Sequence, residues 1–254
     1  MIAMKRIIPV FLLKGKRLVK GTQFHNFVDV GDPVSQAMIY DAQGADEIAL
    51  VDIEATCRGG LIDTRIIREM VDKCRLPIAA GGGIASLGAA RKCFQAGADK
   101  IIVNTAAVLF PDLIKKLSRE FGAQAVLVSL DVKKLSSGDY AVFSHSGKKR
   151  ASSNLTQMLQ NLPKGEVGEV MVTSIEREGT LSGFDSSLYR KIRSLIDVPL
   201  IASGGAGSYD DLVELFKTTG AEAAALGKML CLRDYDIVRI KSYLKGRLIK
   251  VREA

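Results

Sequence analysis

Two segments of the chain repeat the same order of features, and this repeat restricts the possible folds more than any other feature. The segment AAGGGIASLGAARKCFQAGADKIIVNT (79–105) matches IASGGAGSYDDLVELFKTTGAEAAALGK (201–228). In each, an apolar run ends in glycines, a helix-like segment follows, and a second apolar run ends in polar residues. A second pair, ADEIALVDIEAT and GEVMVTSIEREGT, sets Glu47 beside Glu169. The repeat predicts two related halves, roughly 1–122 and 123–254.

Apolar strand-like runs alternate with helix-like segments along the whole chain. The runs are RIIPVFLL, DEIALVDI, LPIAAGGG, ADKIIVNT, AVLVSLD, GEVMVTSI, VPLIASGG and AEAAALG. The helices are expected near 32–43, 63–74, 86–96, 111–120, 154–161, 185–196, 208–218 and 234–244. This alternation is typical of an α/β protein with a parallel sheet. Eight units in 254 residues predict one domain over 1–254, a (β/α)8 TIM barrel built from two half-barrels, with a doubly wound open sheet as the alternative.

Composition argues against several functional classes. The chain is 47% hydrophobic and 25% charged, which is typical of a globular protein. No apolar run reaches the length of a membrane helix, and the start MIAMKRIIPV lacks a signal-peptide pattern, so we expect a cytoplasmic protein. The widely spaced Cys57, Cys74, Cys93 and Cys231, with only two histidines, argue against a zinc site. No metal or cofactor is expected. The net charge of +8 comes from dispersed basic residues, which favours anionic small molecules over nucleic acid.

Glycine-rich turns follow predicted strands at equivalent places in the two halves. Residues 81–83 and 204–207 can each turn backbone N–H groups toward an anion, next to a helix start. The strand ends Asn104–Thr105 and Gly227–Lys228 lie beside them in the repeat. Two such turns predict two phosphate sites across the barrel mouth, and hence a ligand phosphorylated at both ends. The alternative is that the glycines serve only tight turns.

Asp131 ends the predicted fifth strand, at the face where such barrels carry out their chemistry. A carboxylate in an apolar wall can act as general acid or base, because burial raises its pKa. A capping role is the alternative. The repeat places Leu12 opposite Asp131, within VFLLKGKRLVKG, which reads as a strand entering a basic loop. Other polar side chains are expected near the mouth: Asp52, Ser146, Thr173 and Ser203.

Four charged residues lie at the opposite ends of the predicted strands: Arg6, Glu47, Lys100 and Glu169. Charges that point into a barrel must pair, since unpaired buried charges are costly. Two cations and two anions can close a neutral ring across the barrel bottom. From the residues alone, the ring reads as a stabilising cluster.

The chain resembles the cyclase subunit of imidazole glycerol phosphate synthase, an enzyme of histidine biosynthesis. The resemblance covers nearly every βα unit. It is carried by KRIIP, VKGTQF, GDPV, GADE, AAGGGI, GADKIIVNTAA, FGAQAV, FSHSGKK, TSIEREGT and IASGGAG.

The resemblance implies a half-barrel-repeat TIM barrel with a glutaminase partner at the barrel bottom, whose ammonia passes a gate and travels through the barrel. It makes the charged ring of four residues that gate, and it places Asp99 at the partner interface. Residues implied to contact phosphate or substrate are Lys20, Gly83, Asn104, Thr105, Glu178, Gly179, Gly205 and Lys228.

This chain departs from the family pattern at the barrel top. The family's first strand reads roughly CLDVKDGRVVKG, and its first Asp, one of two catalytic acids, corresponds to Leu12 here. Asp131 retains the other acid. Glu178 replaces an aspartate beside the second phosphate site, and Lys228 replaces a serine. A leucine transfers no proton, and losing a general acid or base typically lowers a rate ~10²–10⁴-fold.

Two functions are therefore expected. The first is a specialised paralogue of surface-polysaccharide synthesis. Its barrel supplies ammonia to a third enzyme, which converts an N-acetyl group of a nucleotide-linked sugar to an acetamidino group. The alternative is a working cyclase. It combines ammonia with a phosphoribulosyl aminoimidazole carboxamide ribotide to give imidazole glycerol phosphate and the carboxamide ribotide, with Asp131 carrying both proton transfers. A non-enzymatic interaction protein, or a barrel acting on another phosphorylated substrate, would also fit.

Overall fold

Eight parallel strands close into a barrel in the computed structural model, which describes residues 4–232 and 235–253. The strands are β1 Arg6–Lys14, β2 Arg17–Thr22, β3 His25–Gly31, β4 Ile48–Asp52, β5 Ile78–Gly81, β6 Lys100–Val103, β7 Val126–Lys134, β8 Tyr140–Ser144, β9 Lys149–Asn154, β10 Glu169–Ser174, β11 Leu200–Ser203 and β12 Ala223–Leu226. The barrel order is β1-β4-β5-β6-β7-β10-β11-β12, and β12 pairs with β1. The predicted TIM barrel is confirmed, and the open sheet is wrong because no barrel strand is left at an edge.

Helices cover the outside of the barrel between successive strands. They are α1 Pro33–Ala42, α2 Thr64–Lys73, α3 Leu87–Gln95, α4 Thr105–Leu109, α5 Asp112–Phe121, α6 Leu155–Gln160, α7 Ser186–Arg193, α8 Tyr209–Thr218, α9 Lys228–Leu232 and α10 Ile237–Gly246. Asp32 caps α1 by accepting from Ser35 N, with Pro33 in the first turn, as predicted. Residue 234, where the last helix was expected to begin, lies outside the described residues. Among the described helices, none is long and apolar enough to cross a membrane.

The two halves share one irregularity that supports the repeat. The β2–β3 hairpin follows β1, and the β8–β9 hairpin follows β7 at the equivalent place. In register, Leu12 faces Val19 of the first hairpin, and Asp131 faces Phe143 of the second. Leu12 and Asp131 therefore occupy equivalent places on opposite sides of the barrel.

Side chains inside the barrel form an apolar column separate from the core beneath the helices. Strand side chains alternate between the two faces of a sheet. On β1, the side chains that face the barrel interior above Arg6 are therefore Ile8, Val10 and Leu12, while Ile7 and Phe11 join the outer core. The inner column consists of Ile8, Ala49, Ala79, Ile102, Leu127, Met171, Ile201, Ala223 and Ala225. Leu12 lies six residue steps beyond Arg6 on the strand, so the column spans roughly 20 Å along β1. It joins the charged ring at one end to a cavity at the other.

Candidate functional site

A cavity of about 510 Å³ opens at the carboxyl ends of the barrel strands. Its size suits a small-molecule ligand. Leu12 and Asp131 line it, and apolar and aromatic side chains, including Phe24, Phe27 and Phe110, form much of its wall. The cavity is the place in the described part of the chain where the predicted chemistry can occur.

Asp131 is held in the cavity wall on the inward face of β7. It is 8% exposed, and Asn104 Nδ2 donates to its Oδ2 at 3.0 Å. Burial raises the pKa of Asp131 to about 7, and the Asn104 hydrogen bond opposes this rise. Near neutral pH both forms of the carboxyl are populated, which suits proton transfer. The structure thus shows that Asn104 contacts Asp131, a contact that no sequence pattern predicted.

Leu12 lines the same cavity from β1, opposite Asp131. Its neighbour on β4 is Val51, whereas the neighbour of Asp131 on β10 is Thr173. The first half therefore presents an apolar wall where the second half presents polar groups. No proton can be transferred from Leu12 itself.

The prediction of a basic, flexible loop after β1 is wrong in part. The chain turns at Gly15 and Lys16 and returns as β2, so the segment is a tight hairpin. Arg17 pairs with Asp29 on the hairpin surface. Lys20 is only 2% exposed and donates to the carbonyl oxygen of Val10. The pairing of β2 with β1 buries Lys20, so it does not lie in the exposed loop where it was expected.

The first predicted phosphate turn lies on the rim of the cavity. Gly83 has a φ of +71°, and a Cβ there would lie 1.8 Å from the Gly60 carbonyl oxygen, so glycine is required. Thr105 also lines the cavity, and its Oγ1 accepts from His145 N at 3.0 Å. Val103 is the last residue of β6, so Thr105 begins a five-residue helix instead of ending the strand.

The second predicted phosphate turn lines a separate small pocket. Gly179, Gly205 and Lys228 lie in its wall. A Cβ at Gly179 would lie 2.2 Å from the Gly21 carbonyl oxygen, which again requires glycine. Lys228 Nζ donates to Thr22 Oγ1 at 2.8 Å, so one lysine proton is already used.

Glu178 lies in the walls of both the cavity and the small pocket. Burial raises its pKa, and the charges of Lys20 and Lys228 oppose this rise. Its Oε2 is the one buried side-chain oxygen or nitrogen in the described part of the chain that has no hydrogen-bond partner. Buried polar atoms are normally satisfied, so this oxygen is available to a ligand.

The four charges at the barrel bottom form the predicted closed ring. Arg6 contacts Glu47 at 3.0 Å and Glu169 at 2.6 Å, while Lys100 contacts the same two carboxylates at 2.8 and 2.9 Å. Burial raises the pKa of Glu47, against the effect of Lys100. Asp99 is exposed beside the ring, and its carboxylate accepts from Ile78 N at 2.9 Å, which fixes the start of β5.

The other polar residues expected at the mouth have mixed placements. Thr173 and Ser203 line the cavity, and Ser146 Oγ donates to the Ile53 carbonyl oxygen at 2.7 Å. Asp52 is held by Arg58 and by backbone N–H groups. Sequence reasoning missed the aromatic part of the cavity wall. Phe24 and Phe27 lie in the β2–β3 hairpin, which was expected to be a loop, and Phe110 follows α4, which was not predicted.

Known proteins are similar to this chain over nearly its whole length. The family model described as "Histidine biosynthesis protein" matches residues 6–236. This chain belongs to that family. It is 42% identical to imidazole glycerol phosphate synthase subunit HisF of Sulfolobus acidocaldarius, over 98% of each chain. It is 40% identical to the subunit of that name in Exiguobacterium sibiricum, over 98% of this chain and 99% of the relative. It is 38% identical to the subunit of that name in Bacillus subtilis, over 98% of this chain and 99% of the relative.

These relatives favour one of the two expected functions. All three are named as a subunit of imidazole glycerol phosphate synthase, so the histidine biosynthesis family supports the cyclase more than the surface-polysaccharide role. The residue that motivates the surface-polysaccharide role is Leu12.

Proposed function

We propose that this chain is the ammonia-using subunit of a synthase of the imidazole glycerol phosphate synthase type. The observation that carries the proposal is the alignment of three features along one barrel axis: the charged ring, the apolar column and the cavity with Asp131. In this reading a glutaminase docks at the ring end, where Asp99 is exposed, and releases ammonia from glutamine there.

The ring and the column together suit neutral ammonia. Ammonium would lose its hydration in the apolar column at a high cost, whereas ammonia is uncharged and small. Lys100 is the ring member suited to move, because it has a flexible stem and is 20% exposed. Its movement would leave Arg6 joining both carboxylates and would open one side of the ring.

The cavity supports a condensation of ammonia with a phosphorylated ligand. The ribulosyl group of the proposed substrate carries a keto carbonyl. Ammonia adds to that carbon, the C–O bond breaks, a C=N bond forms, and water leaves. Nitrogen must lose two protons and oxygen must gain two, and Asp131 can exchange protons at neutral pH. The overall products are imidazole glycerol phosphate, the carboxamide ribotide and water.

Leu12 favours a second candidate function. With an apolar residue where the family has an acid, ammonia could leave the barrel top unreacted and serve a third enzyme that amidinates an N-acetyl sugar. The ring and the column would act as a conduit in that case too, so only turnover separates the two functions.

Turnover with ammonium salt, without any glutaminase, tests the proposal. The purified chain is expected to convert the phosphoribulosyl substrate at alkaline pH, and Asp131→Asn is expected to lower the rate at least ~10²-fold. A strain lacking the cyclase should grow without histidine when it carries this chain. If neither turnover nor growth is seen, while the chain still stimulates a glutaminase, the second candidate replaces the first.

A further inference from the structure

The condensation gives protons to oxygen and takes protons from nitrogen, and β1 has no proton-transfer group at Leu12. Asp131 on β7 is present, and Leu12 fills the equivalent place on β1. Four carboxylates line the cavity: Asp52, Glu54, Asp131 and Glu178. Asp52 is paired with Arg58 and is held by backbone N–H groups, so it is not free for proton transfer.

Glu178 reaches the cavity from the loop after β10, and its carboxylate lies near the end of β12. A Cβ on Gly227 would lie 3.7 Å from Glu178 Oε1 and 3.2 Å from Lys20 Nζ, so both charged groups lie beside the residue that follows β12. Lys20 in turn donates to Val10, the inward residue next below Leu12 on β1. The Glu178 carboxylate therefore lies beside β1, the strand that lacks an acid.

The surroundings of Glu178 leave its carboxylate free to react. Oε2 is buried without a partner, and the two nearby lysines already donate elsewhere, Lys20 to Val10 and Lys228 to Thr22. The lysines still supply positive charge, which lets the ionised form exist in the pocket. The side chain of Glu178 is one methylene longer than that of the aspartate in the family pattern. The extra length brings its carboxylate closer to the side of the cavity formed by β1.

We infer that Glu178 is the second proton-transfer residue of the cavity and takes over the task of the acid that β1 has lost. The inference rests on the proposed function. When ammonia adds to the carbonyl carbon, one proton passes from nitrogen to oxygen and gives an amine and a hydroxyl group on that carbon. Glu178 then gives a second proton to the oxygen as the C–O bond breaks and water leaves. Asp131 takes the second proton that nitrogen loses as the C=N bond forms. Solvent then returns the two carboxyls to their starting forms.

The test compares turnover of wild type with that of Glu178→Gln, using ammonium salt and the phosphoribulosyl substrate. Glutamine keeps the size and hydrogen-bonding capacity but cannot transfer a proton. We expect kcat to fall about 10²-fold with KM changed less than about 3-fold, and one limb of the pH profile to disappear. The matched control is Glu176→Gln on the same loop, where the side chain is exposed and accepts from Lys134 N; its kcat should stay within about 2-fold.

Rescue adds a second test. Leu12→Asp in the Glu178→Gln background should recover at least about 10-fold in kcat, because the acid then returns to β1. If the wild type is active and Glu178→Gln has the same kcat, or differs only in KM, the inference about Glu178 is wrong but the proposed function stands. An inactive wild type overturns the proposed function, and the inference with it.

Discussion

Asp131→Asn should make the protein more stable at alkaline pH while removing its activity. A rise in the pKa of Asp131 from 3.8 to about 7 means that the folded state binds this proton more tightly than the unfolded chain does. Stability therefore falls as pH rises from about 4 to 7, by up to roughly 4 kcal/mol at 1.36 kcal/mol per pH unit. Asparagine carries no charge, so it avoids this loss.

The net gain is smaller than the electrostatic cost of the carboxylate. Asn104 Nδ2 can still donate to the new amide oxygen, but the new amide nitrogen lacks a partner, at about 1–2 kcal/mol. At about pH 8 we expect the variant to be more stable by about 2–3 kcal/mol, which corresponds to roughly 4–10 °C in Tm for a chain of this size. At about pH 5 the gain should fall to near zero, because the wild-type carboxyl is then protonated when folded.

Urea unfolding followed by circular dichroism, at both pH values, measures this difference. Asp197→Asn, at an exposed position before β11, is the control and should change the free energy of unfolding by less than about 0.5 kcal/mol. A variant less stable than wild type at pH 8, or a gain in stability that does not depend on pH, would show that burial does not raise the pKa of Asp131 in this way.

Three further outcomes are expected. Lys100→Met leaves two buried carboxylates with one cation and should lower the free energy of unfolding by about 3 kcal/mol, measured by thermal unfolding. The exposed Lys115→Met should lower it by less than about 0.5 kcal/mol, and equal effects would show that the ring carboxylates do not need Lys100. Gly83→Ala must displace the Gly60 carbonyl, so KM for the phosphorylated substrate should rise at least about 10-fold, and an unchanged KM would remove this turn from the site. The rate at limiting substrate should rise with pH through about 7 if Asp131 acts as the base; a profile flat across this range would assign the proton transfer elsewhere.

The sequence was sufficient for the barrel because its signals are local and repeated. Inward and outward residues alternate along β1, and Asp32–Pro33 marks the start of α1. The helices α4 and α9 were missed, since five residues are too short to show a helical period. The ring was predictable because Glu47 and Glu169 occupy matching places in the repeat.

What the sequence could not show depends on which side chains meet across the barrel. Lys20 was placed in a loop because its run of basic neighbours resembles one, and only the pairing of β2 with β1 turns it inward. The contact of Asn104 with Asp131, and the unpartnered oxygen of Glu178, arise from burial by residues distant in sequence.

If ammonia enters through the ring and reacts at the barrel top, nitrogen from glutamine should reach the product without mixing with solvent. The measurement uses glutamine labelled with ¹⁵N in its amide group, supplied with the partner glutaminase, the phosphoribulosyl substrate and an excess of unlabelled ammonium. We expect the new ring nitrogen of imidazole glycerol phosphate to carry mostly ¹⁵N, because ammonia passes through the barrel interior. Product labelled only in proportion to the mixed ammonia pool, or no product at all, would contradict it.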